Sequence, residues 1–180
     1  MFRAYFSFDG RLNRGPFWGY SILLIVIIVI VSLIALTSAV GPELAALVQS
    51  VSSGHMPTVT GVTALFQGAV PRLGWIGVIV QIILTIPTAA LCVKRRHDRN
   101  RSGIDVWIYL GLGIVLSILQ VLGIGFALGT VMGEPAMVAT GPMQIVQLAM
   151  LVFAIYLFIV LAFLRGTVGA NTYGPDPLGG

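Results

Sequence analysis

Four stretches of this chain are long, apolar and free of Asp, Glu, Lys, Arg and His. They cover residues 17–39, 73–93, 106–129 and 143–164. The hydrocarbon core of a bilayer is about 30 Å thick, and a helix rising about 1.5 Å per residue crosses it in roughly 20 residues. Each stretch is long enough to cross a membrane. The sequence therefore predicts an all-α integral membrane bundle of four transmembrane helices.

The composition supports a membrane location. Charged residues make up only 9% of the 180 residues and apolar residues 57%, whereas roughly a quarter of a soluble domain is charged. The first stretch follows basic residues, as a cleaved signal peptide does, but it exceeds the about 7–15 apolar residues of a signal core, which favours an anchor. The chain is expected to be a single membrane domain, with an outer loop at 40–72 and a basic loop at 94–105.

The basic residues predict the orientation. Positively charged residues in short loops stay on the cytoplasmic side of a membrane. Arg72 is the one basic residue in the other two loops. Both termini and the loop 94–105 are therefore expected in the cytoplasm. The nine remaining basic residues precede the first stretch, separate the second from the third, or follow the fourth: Arg3, Arg11, Arg14, Lys94, Arg95, Arg96, Arg99, Arg101 and Arg165.

The outer loop allows two interpretations. Leu44, Leu47, Val48 and Val51 recur at helical spacing after Gly41-Pro42, which is typical of a short amphipathic helix lying on a membrane surface. The alternative is a flexible loop whose periodicity is accidental. The pattern alone does not choose between them.

Three segments on the cytoplasmic side carry motif-like patterns. The first reads F-x-G-R-x-x-R ahead of an aromatic pair, the second reads basic-basic-x-H-D-x-x-R-S-G, and the third reads N-x-Y-G-P-D-P near the carboxyl end. Together they resemble domain of unknown function 805, a family of small bacterial inner-membrane proteins. The resemblance covers the whole chain and implies the fold and a bacterial inner-membrane location, but no activity.

The chain departs from that family pattern at several positions. Pro16 stands where an acidic residue is common, and Arg96 stands where an aliphatic residue is common. Ile104 and Asp105 replace a usual aromatic pair.

His97 and Asp98 form the most suggestive pair for chemistry. One interpretation is a general acid/base or phosphoryl-transfer site, which would make the protein a lipid-modifying enzyme. The other is a turn in which Asp98 pairs with a nearby arginine and His97 lies at the interface. We favour the turn, because adjacent loop residues need not face each other and no nucleophile is placed by a pattern. The sequence thus predicts a non-enzymatic protein without catalytic residues.

The basic loop has structural explanations as well. Cations at the end of the second helix suit the helix dipole, and Ser102-Gly103-Ile104-Asp105 fits a capping box that opens the third. Anionic headgroups attract such residues by about 1 kcal/mol each, so nucleic acid is not needed as a partner. The sequence predicts one cytoplasmic polar face that contacts anionic lipid, a phosphorylated ligand or a protein partner: Arg11, Arg14, Arg95, Arg96, His97, Asp98 and Arg101.

The spans themselves suggest packing rather than transport. Gly125 and Gly129 form a small-xxx-small pattern for close helix packing, inside one chain or at a homo-oligomer seam. The spans hold no ionisable residue, which argues against a proton-coupled pump but leaves a transporter or channel subunit for a neutral solute as an alternative. With Cys92 and two distant histidines, no disulfide, metal or cofactor is expected.

Overall fold

The computed structural model describes residues 2–131 and 134–178. This part of the chain is mostly helical and includes one two-stranded antiparallel hairpin. In chain order its elements are α1 (Phe2–Phe6), α2 (Arg14–Ser52), α3 (Val59–His97), α4 (Ile104–Val121), β1 (Phe126–Val131), β2 (Glu134–Ala139) and α5 (Gly141–Ala162).

Helices α2 to α5 are each long and apolar enough to cross a membrane. Helix α3 lies at the centre and packs along α2 on one side and α4 on the other, with smaller contacts to α5. Large aliphatic side chains on the outer faces, such as Ile22, Ile83 and Leu151, are exposed, as expected for helices surrounded by lipid. The prediction of four helices long and apolar enough to cross a membrane is confirmed. Both described ends of the chain lie at the same end of the bundle.

The hydrophobic core is concentrated at that end. There α2 and α4 begin and α3 and α5 finish. We call it the basic end, because it carries Arg11, Arg95 and Arg165. The buried residues that pack together there are Tyr5, Leu12, Phe17, Leu24, Leu91, Val93, Val106, Leu157 and Leu161.

Most of the predicted outer loop, residues 40–72, is helix, so the flexible-loop interpretation is wrong there. Helix α2 continues to Ser52 and α3 begins at Val59, so each has 39 residues and is about 58 Å long at about 1.5 Å per residue. The apolar residues Leu44 and Val48 point outward. A different stripe faces α3, and it includes the buried Glu43, which forms an ion pair with Arg72. This pair joins the two extended helices.

The third predicted span, 106–129, is too long. Helix α4 ends at Val121, where Gly123 and Gly125 adopt positive φ values of 70° and 84° that favour glycine. Gly129 lies in β1, and a Cβ there would be 2.5 Å from Val138 Cγ2 across the hairpin. The prediction that Gly125 and Gly129 pack helices together is therefore wrong, because both lie outside helices.

Candidate functional site

Three segments that are distant in sequence meet at the basic end. The backbone N–H of Leu12 donates to the carbonyl of Lys94 at 3.1 Å, which joins the amino-terminal segment to the end of α3. The N–H of Thr167 donates to the carbonyl of Asp98 at 2.8 Å, which joins the carboxyl-terminal segment to the same turn. The structure thus brings together the segments that carry the three sequence motifs.

At their junction, a carboxylate lies between two guanidinium groups. Asp98 Oδ1 is 3.1 Å from Arg11 Nη2 and accepts a hydrogen bond from Arg11 Nε at 3.2 Å. Asp98 Oδ2 accepts one from Arg95 Nη1 at 2.5 Å. Arg95 is 0% exposed, Asp98 2%, and the Arg11 side chain 1%. We call these three residues the ion cluster.

Arg11 uses its other donors to hold the carboxyl-terminal segment. Its Nη1 donates to the carbonyl of Gly169 at 2.6 Å, and its Nη2 donates to the carbonyl of Thr167 at 2.6 Å. The planar guanidinium presents five donors in fixed directions, so one side chain can bind a carboxylate and two carbonyls together. Arg11 therefore connects the amino-terminal segment both to α3 and to the carboxyl-terminal segment.

Arg95 caps the end of α5. Its Nε donates to the carbonyl of Leu161 at 2.8 Å, and its Nη2 donates to the carbonyl of Leu164. The last carbonyls of a helix lack partners within that helix and carry partial negative charge. Arg11 and Arg95 carry two positive charges, and the Asp98 carboxylate neutralises one of them. The carbonyls at the end of α5 help to balance the other. Arg95 thus fixes the end of α5 against the end of α3.

Gly166 lets the carboxyl-terminal segment pass directly over the ion cluster. A Cβ at this position would lie 2.0 Å from Asp98 Oδ2 and 2.6 Å from Asp98 Cγ. Real Cβ atoms essentially never come that close to another heavy atom, so any side chain here would require a rearrangement. No sequence pattern pointed to Gly166 or to Thr167, because their roles depend on contacts with residues about seventy positions away.

Arg96 belongs to a separate polar contact among three helices. Its Nη2 is 2.8 Å from Asp105 Oδ2 on α4, and Tyr156 Oη on α5 donates to the same oxygen at 3.2 Å. Asp105 does not serve the predicted capping box, because the residue that caps α4 is Gly103, at φ 76° and without a side-chain cap. Two of the departures from the family pattern, Arg96 and Asp105, therefore bind each other.

His97 and Asp98 do not act on each other. The His97 ring stacks on Tyr173 with centroids 3.8 Å apart and an interplanar angle of 6°, and its Nδ1 lies 3.2 Å from the Gly10 carbonyl oxygen. The Asn171 side chain donates to the His97 carbonyl at 2.9 Å. The pair thus anchors the carboxyl-terminal segment through separate contacts, and Asp98 pairs with arginines as the turn interpretation expects.

The exposed arginines lie around the ion cluster rather than in it. Arg14 and Arg165 are exposed and line a recess of about 490 Å³ that also contains Gly15, at the start of α2, and Asp176. The backbone N–H groups of Leu178 and Gly169 donate to Asp176 and lower the pKa of its carboxyl group. We call this cavity the basic recess.

The predicted polar face therefore divides into buried and exposed members. Arg101 is exposed, and its side chain has no hydrogen-bond partner among residues 2–131 and 134–178. Arg14 is also exposed and keeps one contact, from Nη1 to the Phe163 carbonyl at 3.3 Å. The buried or half-buried members are engaged inside the protein: Arg11, Arg95, Arg96, His97 and Asp98. Within the described residues, no group of three or more His, Cys, Asp or Glu side chains could hold a metal ion.

Four apolar helices that end in a polar, ion-paired junction define a multi-pass membrane protein. Sequence comparison matches residues 5–175 to the family described as protein of unknown function, DUF805, and the chain belongs to that family. The matched region includes all three motif segments, which confirms the resemblance seen in them. No curated protein and no solved structure matches the chain.

Proposed function

We propose that the protein lies in a bacterial inner membrane with the basic end in the cytoplasm, where the basic recess binds the phosphate of an anionic lipid headgroup. The observation that carries this proposal is the pair of exposed arginines, Arg14 and Arg165, beside the start of α2. In this proposal the protein is a non-enzymatic binding protein. The alternative occupants are a soluble phosphorylated ligand, which the titration below distinguishes, and a protein partner.

The charges around the recess favour an anion. The Asp98 carboxylate is compensated by Arg11 and Arg95. That leaves Asp176 as the one other acid lining the recess among the described residues, against the two arginines Arg14 and Arg165. The amino-terminal end of a helix also carries partial positive charge that attracts anions. Gly15, in the first turn of α2, is among the lining residues. These features together provide a positively charged cavity at the level where a membrane helix begins.

Fewer residues are available to contact lipid than the sequence predicted. Arg11, Arg95 and Arg96 have donors already bound to carboxylates and carbonyls, and moving them to a ligand would break those contacts. Arg14 and Arg101 keep exposed guanidinium groups. The recess adds Arg165, which follows α5 and lies opposite Arg14. Lipid binding is thus assigned to the exposed arginines, and the buried ones are assigned to the fold.

Labelling of single cysteines tests the orientation. Met56 is 84% exposed in the connection between α2 and α3, at the end opposite Arg101. We expect M56C to react with a membrane-impermeant maleimide in intact bacterial spheroplasts and R101C to react only after lysis, because the basic loop stays inside. The parent chain, whose own thiol is Cys92, gives the background. Reaction of R101C before lysis would reverse the proposed topology.

Loss of both recess arginines should weaken binding of anionic lipid. Each basic residue near an anionic surface contributes about 1 kcal/mol, so we expect R14Q/R165Q to lose affinity for phosphatidylglycerol by about thirtyfold. Native mass spectrometry of the delipidated protein, titrated with phosphatidylglycerol or phosphatidylcholine, measures this. R3Q is the matched control, because Arg3 is exposed but lies outside the basic recess.

The same titration distinguishes the possible occupants. Competition by free glycerol phosphate at equal concentration would indicate a soluble phosphorylated ligand instead of a lipid. Equal retention of phosphatidylglycerol by R14Q/R165Q and R3Q would contradict the proposed site. Equal retention of phosphatidylglycerol and phosphatidylcholine by the unaltered protein would show that the recess does not select anionic headgroups.

A further inference from the structure

A second cavity lies at the end of the bundle opposite the basic end. It has a volume of about 600 Å³, is open on one side and is lined by α3, α4 and the β-hairpin. Its walls are mainly apolar, and Phe126 and Met137 of the hairpin lie beside it. Three polar residues line it, namely Gln81, Ser117 and Gln120, and no charged residue does so among those the structure describes. We call it the amide cavity.

The amide cavity contains hydrogen-bond donors without partners. The Ser117 hydroxyl donates to Gln81 Oε1 at 2.5 Å, and the Gly113 carbonyl, at 2.9 Å, is a second acceptor for the same proton. With its oxygen facing Ser117, the Gln81 amide presents its Nε2 group as a donor. Neither this Nε2 nor the side-chain amide of Gln120 has a hydrogen-bond partner within residues 2–131 and 134–178. An amide left unpaired in an apolar environment costs free energy, so a ligand with an acceptor would be favoured here.

The length of α4 indicates how deep in the bilayer these amides lie. A membrane helix ends where its backbone can find polar partners, and Gln120 is the residue before the last of α4. The 18 residues of α4 span about 27 Å, close to the thickness of the hydrocarbon core. Ser117 lies one turn deeper. The donors are therefore near the boundary where acyl chains meet the glycerol esters of a bilayer.

We propose that the amide cavity binds one ester-linked glycerolipid from the adjoining leaflet. An acyl chain lies along the apolar walls of α3 and α4, and an ester carbonyl accepts hydrogen bonds from the amides of Gln81 and Gln120. Lipid is the occupant because exposed apolar side chains such as Ile79 and Ile82 flank the cavity on α3, where the bilayer surrounds the helix. The volume is within the range of small-molecule sites, about 300–1,000 Å³.

Neutral donors distinguish this site from the basic recess. An uncharged amide recognises an uncharged acceptor, so selection should depend on the ester linkage and not on headgroup charge. A diether phospholipid with the same headgroup and chain length lacks the ester carbonyls. The unaltered protein should therefore retain the diester form about fivefold more strongly, the effect of one ordinary hydrogen bond.

Native mass spectrometry of the delipidated full chain, with diester and diether phosphatidylcholine as probes, tests the proposal. Q120L should weaken the preference for the diester, since it removes one of the two proposed donors to the ester carbonyl. Gln120 is exposed and its side chain makes no other hydrogen bond in the described chain. G77L should reduce retention of both lipids, because a Cβ at Gly77 meets no atom within 4 Å and the leucine would fill the cavity. G111L, in equally open space on α4, is the matched control.

Two results would overturn the assignment. One is equal retention of diester and diether by the unaltered protein, and the other is equal retention by G77L and G111L. A thermal melt of each variant shows whether it is folded, and Q120L, with its exposed site, remains informative if G77L does not fold. R14Q/R165Q should keep the preference for the diester, because these arginines lie outside the amide cavity. The test of the basic recess and the test of the amide cavity can therefore fail independently.

Discussion

Replacing Asp98 by asparagine is expected to destabilise the protein more than any other single polar change at the basic end. Asp98 is the one acidic side chain between Arg11 and Arg95, and all three are almost fully buried. Removing one partner from a buried ion pair leaves a charge without compensation and costs about 3–5 kcal/mol. Asparagine keeps the shape of the side chain, so D98N isolates the loss of charge from the loss of volume.

The measurement for D98N is the free energy of unfolding in mild detergent, with D9N as the control. Asp9 is an exposed aspartate in the same region, and exposed charges usually contribute less than about 1 kcal/mol. We expect D9N to unfold like the unaltered protein and D98N to unfold much more readily. Equal stability of the two variants would show that charge pairing does not hold the three segments together.

The four spans could be predicted because their cause is local. Each needs about 20 apolar residues in a row, and such runs are visible without knowledge of any contact. The ends of the spans depend on less obvious features. Helix α4 stops at Val121 because glycines follow it, although residues 122–129 are as apolar as the helix. Hydrophobicity alone therefore gave the right number of spans and the wrong end for the third.

The extensions of α2 and α3 show a second limit of prediction from the sequence. The apolar periodicity at Leu44 and Val48 fits the helix that the structure shows, but this helix continues α2 and packs on α3 and is not a separate short helix. Glu43 is only 7% exposed and lies against α3, where it pairs with Arg72. A charged residue on the packed face is uncommon. The sequence offered no sign that its partner lay 29 positions away.

The candidate site could be predicted only in part, because a row of basic residues looks the same whether buried or exposed. Arg95 is buried and Arg101 is exposed, although both belong to one motif. Arg11 and Asp98 are 87 residues apart, and their pairing follows from the packing of the helices. The common location of the three motifs at one end was foreseeable from topology. The division between structural arginines and those free to bind a ligand required the structure.

That division would let the basic end bind lipid, as proposed, without losing its shape. Buried arginines hold the amino-terminal segment, α3 and the carboxyl-terminal segment together through Asp98. Exposed Arg14 and Arg165 belong to the same segments and are positioned by them. A ligand in the basic recess would therefore meet arginines whose backbones are already fixed, which lowers the entropy lost on binding.

Replacing Gly166 by alanine is expected to separate the carboxyl-terminal segment from the ion cluster. The new Cβ would lie 2.0 Å from Asp98 Oδ2, and the carboxylate cannot yield because Arg11 and Arg95 hold both of its oxygens. The segment must shift instead, which weakens the 2.8 Å hydrogen bond from the Thr167 N–H to the Asp98 carbonyl. Overpacking of this kind costs about 1–3 kcal/mol.

A double-mutant cycle shows whether this cost arises from the contact with Asp98. Unfolding free energies are measured for G166A, D98A and G166A/D98A, with G111A as a control at a glycine that has open space around it. In the D98A background the carboxylate is gone, so G166A should cost little, and the two changes should be coupled by more than about 1 kcal/mol. An equal cost in both backgrounds would mean that alanine at position 166 disturbs something other than the ion cluster. Because removal of Asp98 is itself destabilising, the coupling is the quantity that decides whether the carboxyl-terminal segment is held through that carboxylate.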